Sequence, residues 1–288
     1  MGGMIAFLGC GEMNEAILAG LLKAGTAPDE VVATVRRAER VPGLAGRYPG
    51  VRFISVEEQP DGNRTASTGA AVVVLGVKPG ETVGLARNIA PSLRPDAVVV
   101  SVAAALPLAQ LEAVLPEGQP VIRSMPNTPL KLGRGVVSLS PGSHCTPAHL
   151  QQAKALFEGS GTVVEVPEEQ IALVSAISGS GPAYAYYLAE AMAAAGEKLG
   201  LDPELAEHLA RETVAGAGLV LGEPGATAAA LRQAMTGPGT ITSHAIAVFE
   251  GRDLPGIIAE GARATVERTA EVTAELNGTA ALGAAGRD

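Results

Sequence analysis

Residues 4–23, MIAFLGCGEMNEAILAGLLK, constrain the fold more than any other part of the chain. A short apolar run, Met4-Ile5-Ala6-Phe7-Leu8, turns through Gly9-Cys10-Gly11. The apolar residues then change period, with Met13, Ala16, Ile17, Gly20 and Leu21 at helical spacing. A buried strand, a glycine turn and a helix in that order make a site for a diphosphate. Glycines admit the backbone close to phosphate, and the helix start offers unpaired N–H groups and the positive end of its dipole. The usual fingerprint is G-x-G-x-x-G, and here Asn14 holds its third position. That position governs helix–strand packing more than phosphate contact. The plainer alternative is a tight strand–helix turn that binds no nucleotide.

Apolar runs recur at 31–35, 51–55, 71–77, 97–102, 121–123, 135–139 and 162–166 and predict strands. Helical spacing at 80–93, 107–115 and 147–158 falls between them, and the polar segment 57–69 predicts a loop with room for a short helix. This alternation implies an α/β fold, a doubly wound and mainly parallel sheet. Loops at three strand ends, Gly76-Val77-Lys78-Pro79, Ala103-Ala104-Ala105 and Arg123 to Pro129, are lined with small residues or fixed by prolines. Open α/β sheets bind ligands at that edge. In a site for NAD, an acidic residue ends the second strand; here Arg36 and Arg37 stand there, with Arg40 shortly after. Arginine forks suit a 2′-phosphate, which predicts NADPH as the preferred cofactor and NADH as the lesser one. A solvated basic loop is the alternative.

From Pro167 onward strand signals give way to helical ones, at 168–176, 183–199, 203–221, 226–235, 241–249 and 254–276. The chain therefore divides into a dinucleotide-binding domain (1–163), an all-helical domain (164–276) and a flexible Ala/Gly-rich tail (277–288). Residues 1–163 hold 14 Lys/Arg against 13 Asp/Glu, and residues 164–288 hold 7 against 17. The overall net charge of −9 disfavours nucleic acid as a partner. A helical unit so rich in Ala and Gly reads as a subunit interface with helices of two chains interleaved and the active site between the chains; a monomeric bundle is the alternative. No apolar run reaches membrane-spanning length, no leader precedes the first strand, and Cys10 and Cys145 form neither a disulfide framework nor a metal pattern. A cytoplasmic setting without membrane or metal partners is expected. His144, His149, His208 and His244 lack ligand spacing, although His244 lies one turn from a glycine-rich loop.

Five motifs in order then resemble one family, the pyrroline-5-carboxylate reductases. They are the N-terminal glycine turn, Val77-Lys78-Pro79, Arg123-Ser124-Met125-Pro126-Asn127-Thr128-Pro129, Ser178-Gly179-Ser180-Gly181-Pro182-Ala183-Tyr184, and the segment 236–250. The resemblance covers nearly the whole chain. It implies a Rossmann domain followed by a helical dimerisation domain, a homodimer or larger homo-oligomer, and NAD(P)H-dependent reduction of a cyclic imine to proline. It also implies that Gly9, Gly11, Glu12 and Met13 lie along the cofactor and that Arg36 and Arg37 face its adenosine end. Asn63 would contact a ribose, and Val77, Lys78, Pro79, Ala103 and Asn127 would line the nicotinamide side.

The substrate turn departs from the family's T-S-P-G-G-T-T: here it reads Thr236-Gly237-Pro238-Gly239-Thr240-Ile241-Thr242. Thr242 keeps the position where the family places a hydroxyl beside the imine nitrogen, so it is the candidate catalytic residue; a helix N-cap is its structural alternative. Pro238, Gly239 and Thr240 are the substrate-binding candidates, Gly239 and Thr240 through backbone N–H groups at a helix start. Gly237 replaces a serine that helps hold the substrate carboxylate. Two further readings stay open, an imine reductase for a related cyclic imine and a non-catalytic NADPH-binding regulatory protein. A β-hydroxyacid dehydrogenase is disfavoured, because the lysine it needs four residues past Gly181 is Ala185.

Overall fold

The computed structural model describes residues 3–285 apart from residue 238, with side chains described through residue 276. Strands β1 (Ile5–Leu8), β2 (Val31–Val35), β3 (Arg52–Ser55), β4 (Val72–Leu75), β5 (Val98–Ser101), β6 (Val121–Pro126), β7 (Gly135–Pro141) and β8 (Gly161–Glu165) form one sheet, ordered β3-β2-β1-β4-β5-β6-β7-β8. All neighbours are parallel except β6 and β7. Helices α1 (Glu12–Lys23), α2 (Arg40–Arg47), α3 (Gly62–Ser67), α4 (Pro79–Ile89), α5 (Leu108–Glu112) and α6 (Pro147–Leu156) cover its faces.

The central strands are buried on both sides, which is why they read as unbroken apolar runs. Along β1 the side chains alternate between two cores. Ile5 and Phe7 pack with Ile17, Leu18 and Leu21 of α1, and Ala6 and Leu8 pack with Leu85, Ala86 and Ile89 of α4. In an interior without tryptophan, backbones approach closely. A Cβ on Gly159 would collide with the carbonyl oxygen of Gly20 on α1, and one on Gly20 would lie 2.6 Å from Ser160 Oγ.

Several expected boundaries move. Residues 123–129 read as a loop because of their prolines, yet β6 continues through Pro126, which pairs antiparallel with Val137 on β7. Pro126 ends the strand, so its missing N–H costs the ladder little. The helix expected at 168–176 is a 3₁₀ turn (Glu168–Gln170), a short helix α7 (Ile171–Val174) and a π-helical turn (Ser175–Gly179). Glu168 anchors this segment: its Oε1 accepts from Arg123 Nη1 at 2.9 Å and from the Leu108 N–H at 2.7 Å.

The chain forms two compact units, residues 1–179 with 266–288, and Ser180–Thr265. The second holds α8 (Gly181–Lys198), α9 (Pro203–Leu221), α10 (Ala228–Met235), α11 (Ile241–Gly251) and the first turns of α12 (Leu254–Ala285). The last helix thus runs past the end expected at residue 276 into the segment read as a flexible tail. Asp202 caps α9 by accepting from the Glu204 and Leu205 N–H groups. Among the described residues of this unit only Gly196, Ala206 and Ala210 are buried. Tyr187, Leu199, Leu219 and Ile241 are 71, 87, 61 and 92 % exposed in the single chain. No described helix is long and apolar enough to cross a membrane.

Candidate dinucleotide site and substrate turn

The sheet changes winding direction at β1: the chain goes to β2 and β3 on one side, then returns to β4 on the other. Ligands of such sheets bind at the carboxyl edge of that switch point. A cavity of about 430 Å³ opens there, lined by Gly9, Thr34, Arg36, Asn63, Val77 and Glu81 among others. Four of these, Gly9, Arg36, Asn63 and Val77, are residues that the sequence nominated for the cofactor.

The turn after β1 is fixed from below. The Gly9 N–H donates to Thr34 Oγ1 at 3.0 Å, and Thr34 Oγ1 donates to Asn63 Oδ1 at 2.7 Å. The Cys10 N–H donates to the Thr34 carbonyl at 2.6 Å and the Gly11 N–H to the Gly9 carbonyl at 2.8 Å. Gly9 has φ of +76°, and a Cβ on it would lie 2.5 Å from Val77 Cγ1. Gly11 is the N-cap of α1 and supplies no side-chain cap, and nothing lies within 4 Å of where its Cβ would be. The loop's own amides are engaged within the protein, so the donors left for an anion are those of the first turn of α1, Glu12 to Asn14. This uncapped helix start beside open space fits a diphosphate.

Asn14 is fully buried, with Nδ2 donating to the carbonyls of Leu8 (3.4 Å) and Gly9 (3.3 Å). A Cβ on Gly76 would collide with its amide. The close approach that the third fingerprint glycine provides has moved across the sheet to Gly76. Glu12 is exposed and pairs with Lys131 at 3.1 Å, which offsets a carboxylate beside a phosphate site. Met13 is half-buried against the core.

Lys78 is the N-cap of α4 and Pro79 its first residue. Ala103, buried just past β5, donates its N–H to Ser101 Oγ at 3.3 Å. Asn127 follows β6 with both ends of its amide used: Oδ1 accepts from the Val136 N–H at 2.8 Å and Nδ2 donates to the Ser178 carbonyl at 3.0 Å. It thereby ties the β6–β7 corner to the π-helical turn. At the other end of the site, Arg36 Nη2 lies 2.6 Å from Glu81 Oε1, and Arg37 pairs with Glu39 at 3.2 Å. Arg40 turns onto the glycine loop, donating to the Cys10 carbonyl at 2.8 Å and pairing with Glu15 at 3.2 Å.

Sequence reasoning missed Thr34 and Glu81, and noted Arg40 only as a neighbour of Arg36 and Arg37, not for its contact with the glycine loop. Thr34 had one signal, a lone hydroxyl inside the apolar run Val31–Val35. Cys10 is packed rather than reactive: burial, with help from the Glu15 charge, pushes its thiol up to about 12 from 9.0. At neutral to mildly alkaline pH, alkylation of Cys10 in the native protein is expected to be about a thousandfold slower than in the denatured chain, measured by mass spectrometry of iodoacetamide adducts. The sign for stability follows. Above pH ~9 the unfolded chain loses this proton while the folded chain keeps it, so stability falls as pH rises from ~9 toward 12.

In the second unit, Thr240 occupies the N-cap position of α11 without a side-chain cap hydrogen bond, so Thr242 is not the N-cap residue. Thr240 Oγ1 donates to the Gly237 carbonyl at 2.9 Å and its N–H donates to the same oxygen at 3.1 Å. Gly239 is left-handed, with φ of +83°. Thr242 lies in the first turn of α11, exposed, and its hydroxyl makes no hydrogen bond among the described residues. Pro238 lies outside the described residues. His149 closes a capping box, Nδ1 accepting from the Thr146 N–H. No cluster able to hold a metal occurs among the described residues.

Comparison with known proteins adds an independent line. Residues 168–272 match the family described as pyrroline-5-carboxylate reductase dimerisation, and residues 4–105 match that described as NADP oxidoreductase coenzyme F420-dependent. The first match marks the protein as a homo-oligomer. Pyrroline-5-carboxylate reductase of Pseudomonas aeruginosa is 36 % identical over 94 % of this chain and 97 % of its own length. That of Mycobacterium tuberculosis is 36 % identical over 85 % and 88 %. The solved pyrroline-5-carboxylate reductase of Coxiella burnetii superposes with a TM-score of 0.86 at 31 % identity, covering 93 % of this chain and 98 % of that one. Pyrroline carboxylate reductase of Plasmodium falciparum, solved with NADP bound, shares the fold at a TM-score of 0.77 and 22 % identity, over 93 % and 97 %. In sequence over nearly its full length and in architecture alike, the chain belongs to the pyrroline-5-carboxylate reductase family.

Proposed function

We propose that the protein reduces 1-pyrroline-5-carboxylate to proline, the last step of proline biosynthesis, using NADPH. The observation that carries this reading is the cavity at the β1–β4 switch point, where Gly9, Arg36, Asn63 and Val77 meet beside an uncapped helix start. The assignments of residues 1–163 to cofactor binding and 164–276 to dimerisation and substrate are part of the proposal. So is the homodimer as the building block, which the exposed apolar surface of the second unit supports. Two free thiols suit a reducing, cytoplasmic compartment.

Bound NADPH supplies a hydride to the imine carbon. The chain's own residues bind and orient. Amides of Glu12 and Met13 would hold the diphosphate, the Thr34–Asn63 pair fixes the turn beneath it, and Arg36 and Arg37 would meet the 2′-phosphate. Val77, Lys78, Pro79, Ala103 and Asn127, all just past strand ends, form the nicotinamide side. An imine carbon takes hydride well only when its nitrogen is protonated or strongly hydrogen-bonded, and Thr242 Oγ1 is the group assigned to that nitrogen. Gly239 and the first amides of α11 would hold the substrate carboxylate; the Thr240 N–H, expected to share that role, is instead spent on the Gly237 carbonyl. Most of the rate gain is positioning, since no acid–base pair is required.

Gly237 and Ile241 depart from the family's turn and favour one second reading, a reductase of a related cyclic imine. The test is NADPH oxidation with pyrroline-5-carboxylate against a panel of cyclic imines with and without a carboxylate. Oxidation dependent on the carboxylated five-membered ring is expected. A faster carboxylate-free substrate would move the assignment to the second reading, and NADPH binding without oxidation of any imine would leave a regulatory protein.

A further inference from the structure

All three arginines that could meet a 2′-phosphate already carry a carboxylate: Arg36 with Glu81, Arg37 with Glu39 and Arg40 with Glu15. Only the first pair lines the cavity. Glu81 stands in the first turn of α4, past the end of β4, and reaches Arg36, past the end of β2. The contact uses one guanidinium nitrogen and one carboxylate oxygen. The end of β2 lacks the acidic residue that binds a ribose 2′-hydroxyl, yet a carboxylate is present at that place all the same, delivered from the opposite side of the switch point.

We propose that Glu81 sets the cofactor selectivity of this chain. Its carboxylate competes with the 2′-phosphate of NADPH for Arg36 and repels that phosphate, and it accepts a hydrogen bond from the 2′-hydroxyl of NADH. Glu81 therefore narrows the preference that the arginines create and admits NADH as a working cofactor. This rests on the dinucleotide reading of the cavity. A carboxylate in the first turn of a helix also favours the helix dipole, but that role is blind to which nucleotide is bound.

The test is binding without substrate, on the full chain. NADPH and NADH are titrated by nicotinamide fluorescence, and 2′,5′-ADP and 5′-ADP by calorimetry, for wild type, Glu81→Gln, Arg36→Ala and the double variant. Both side chains are exposed, so the variants leave the core intact. Removing a like charge at an exposed site is expected to tighten NADPH and 2′,5′-ADP about fivefold in Glu81→Gln, while NADH and 5′-ADP weaken about threefold. In the Arg36→Ala background the gain for 2′,5′-ADP should shrink. A ratio of NADPH to NADH affinity that stays within about twofold of wild type, or equal shifts for both cofactors, overturns the proposal and leaves the dinucleotide site standing. Failure of wild type to bind either cofactor overturns the dinucleotide reading, and this proposal with it.

Discussion

Replacing Thr242 by Ala is expected to lower turnover on pyrroline-5-carboxylate roughly 10- to 100-fold while leaving NADPH affinity unchanged, the range lost when a hydrogen bond to a charged group is removed. Thr242 is exposed in the first turn of α11, where Ala is a good helix former, so the variant should fold as well as the parent. The N-cap position is Thr240, so Thr242 has no capping role to lose. Steady-state kinetics and NADPH fluorescence titration check the split, and Thr242→Ser should restore most of the rate. Unchanged turnover in the Ala variant would take this hydroxyl out of the mechanism.

Gly159→Ala is expected to destabilise the first unit by about 3 kcal/mol, because the new methyl meets backbone rather than a side chain that can swing away. The obstacle is the Gly20 carbonyl, with Gly20 Cα 3.1 Å away. Relief would require α1 to lift from the turn at 157–161, and α1 carries Ile17, Leu18 and Leu21 of the main core and the glycine loop at its N-terminus. Thermal unfolding should show a drop in Tm on the order of 10 °C. Gly84→Ala is the control: it is exposed within α4 with nothing in reach of a Cβ, and it should raise stability by up to about 1 kcal/mol. Equal melting of the Gly159→Ala variant and wild type would mean that α1 and the turn adjust freely.

The strands of the sheet were legible because parallel strands buried on two faces leave unbroken apolar runs, as in Val72–Leu75 and Val98–Ser101. The edge of the candidate site was legible for the same reason: Gly9, Arg36 and Val77 each follow a strand end. What escaped was set by pairing across the chain. Pro126 reads as a loop residue until Val137 pairs with it. Nothing in the sequence marks Ser175–Gly179 as π-helical, since that turn is held from outside by Asn127. Asn14 looks like a damaged fingerprint until Gly76 is seen to supply the missing space. Glu81 is an ordinary helix acid in the sequence, 45 positions from the arginine it meets. At the candidate substrate turn the motif singled out Thr242, but only the helix start shows that the N-cap position is Thr240.

Among its described residues the second unit buries two alanines and one glycine, while tyrosines and leucines along its helices face outward. Such a segment has no interior to collapse around until another copy arrives. For this unit, acquiring a hydrophobic centre and acquiring a partner are one event. Its persistence is therefore governed by dilution as well as by heat, and the isolated protomer is an unfinished molecule rather than a smaller one.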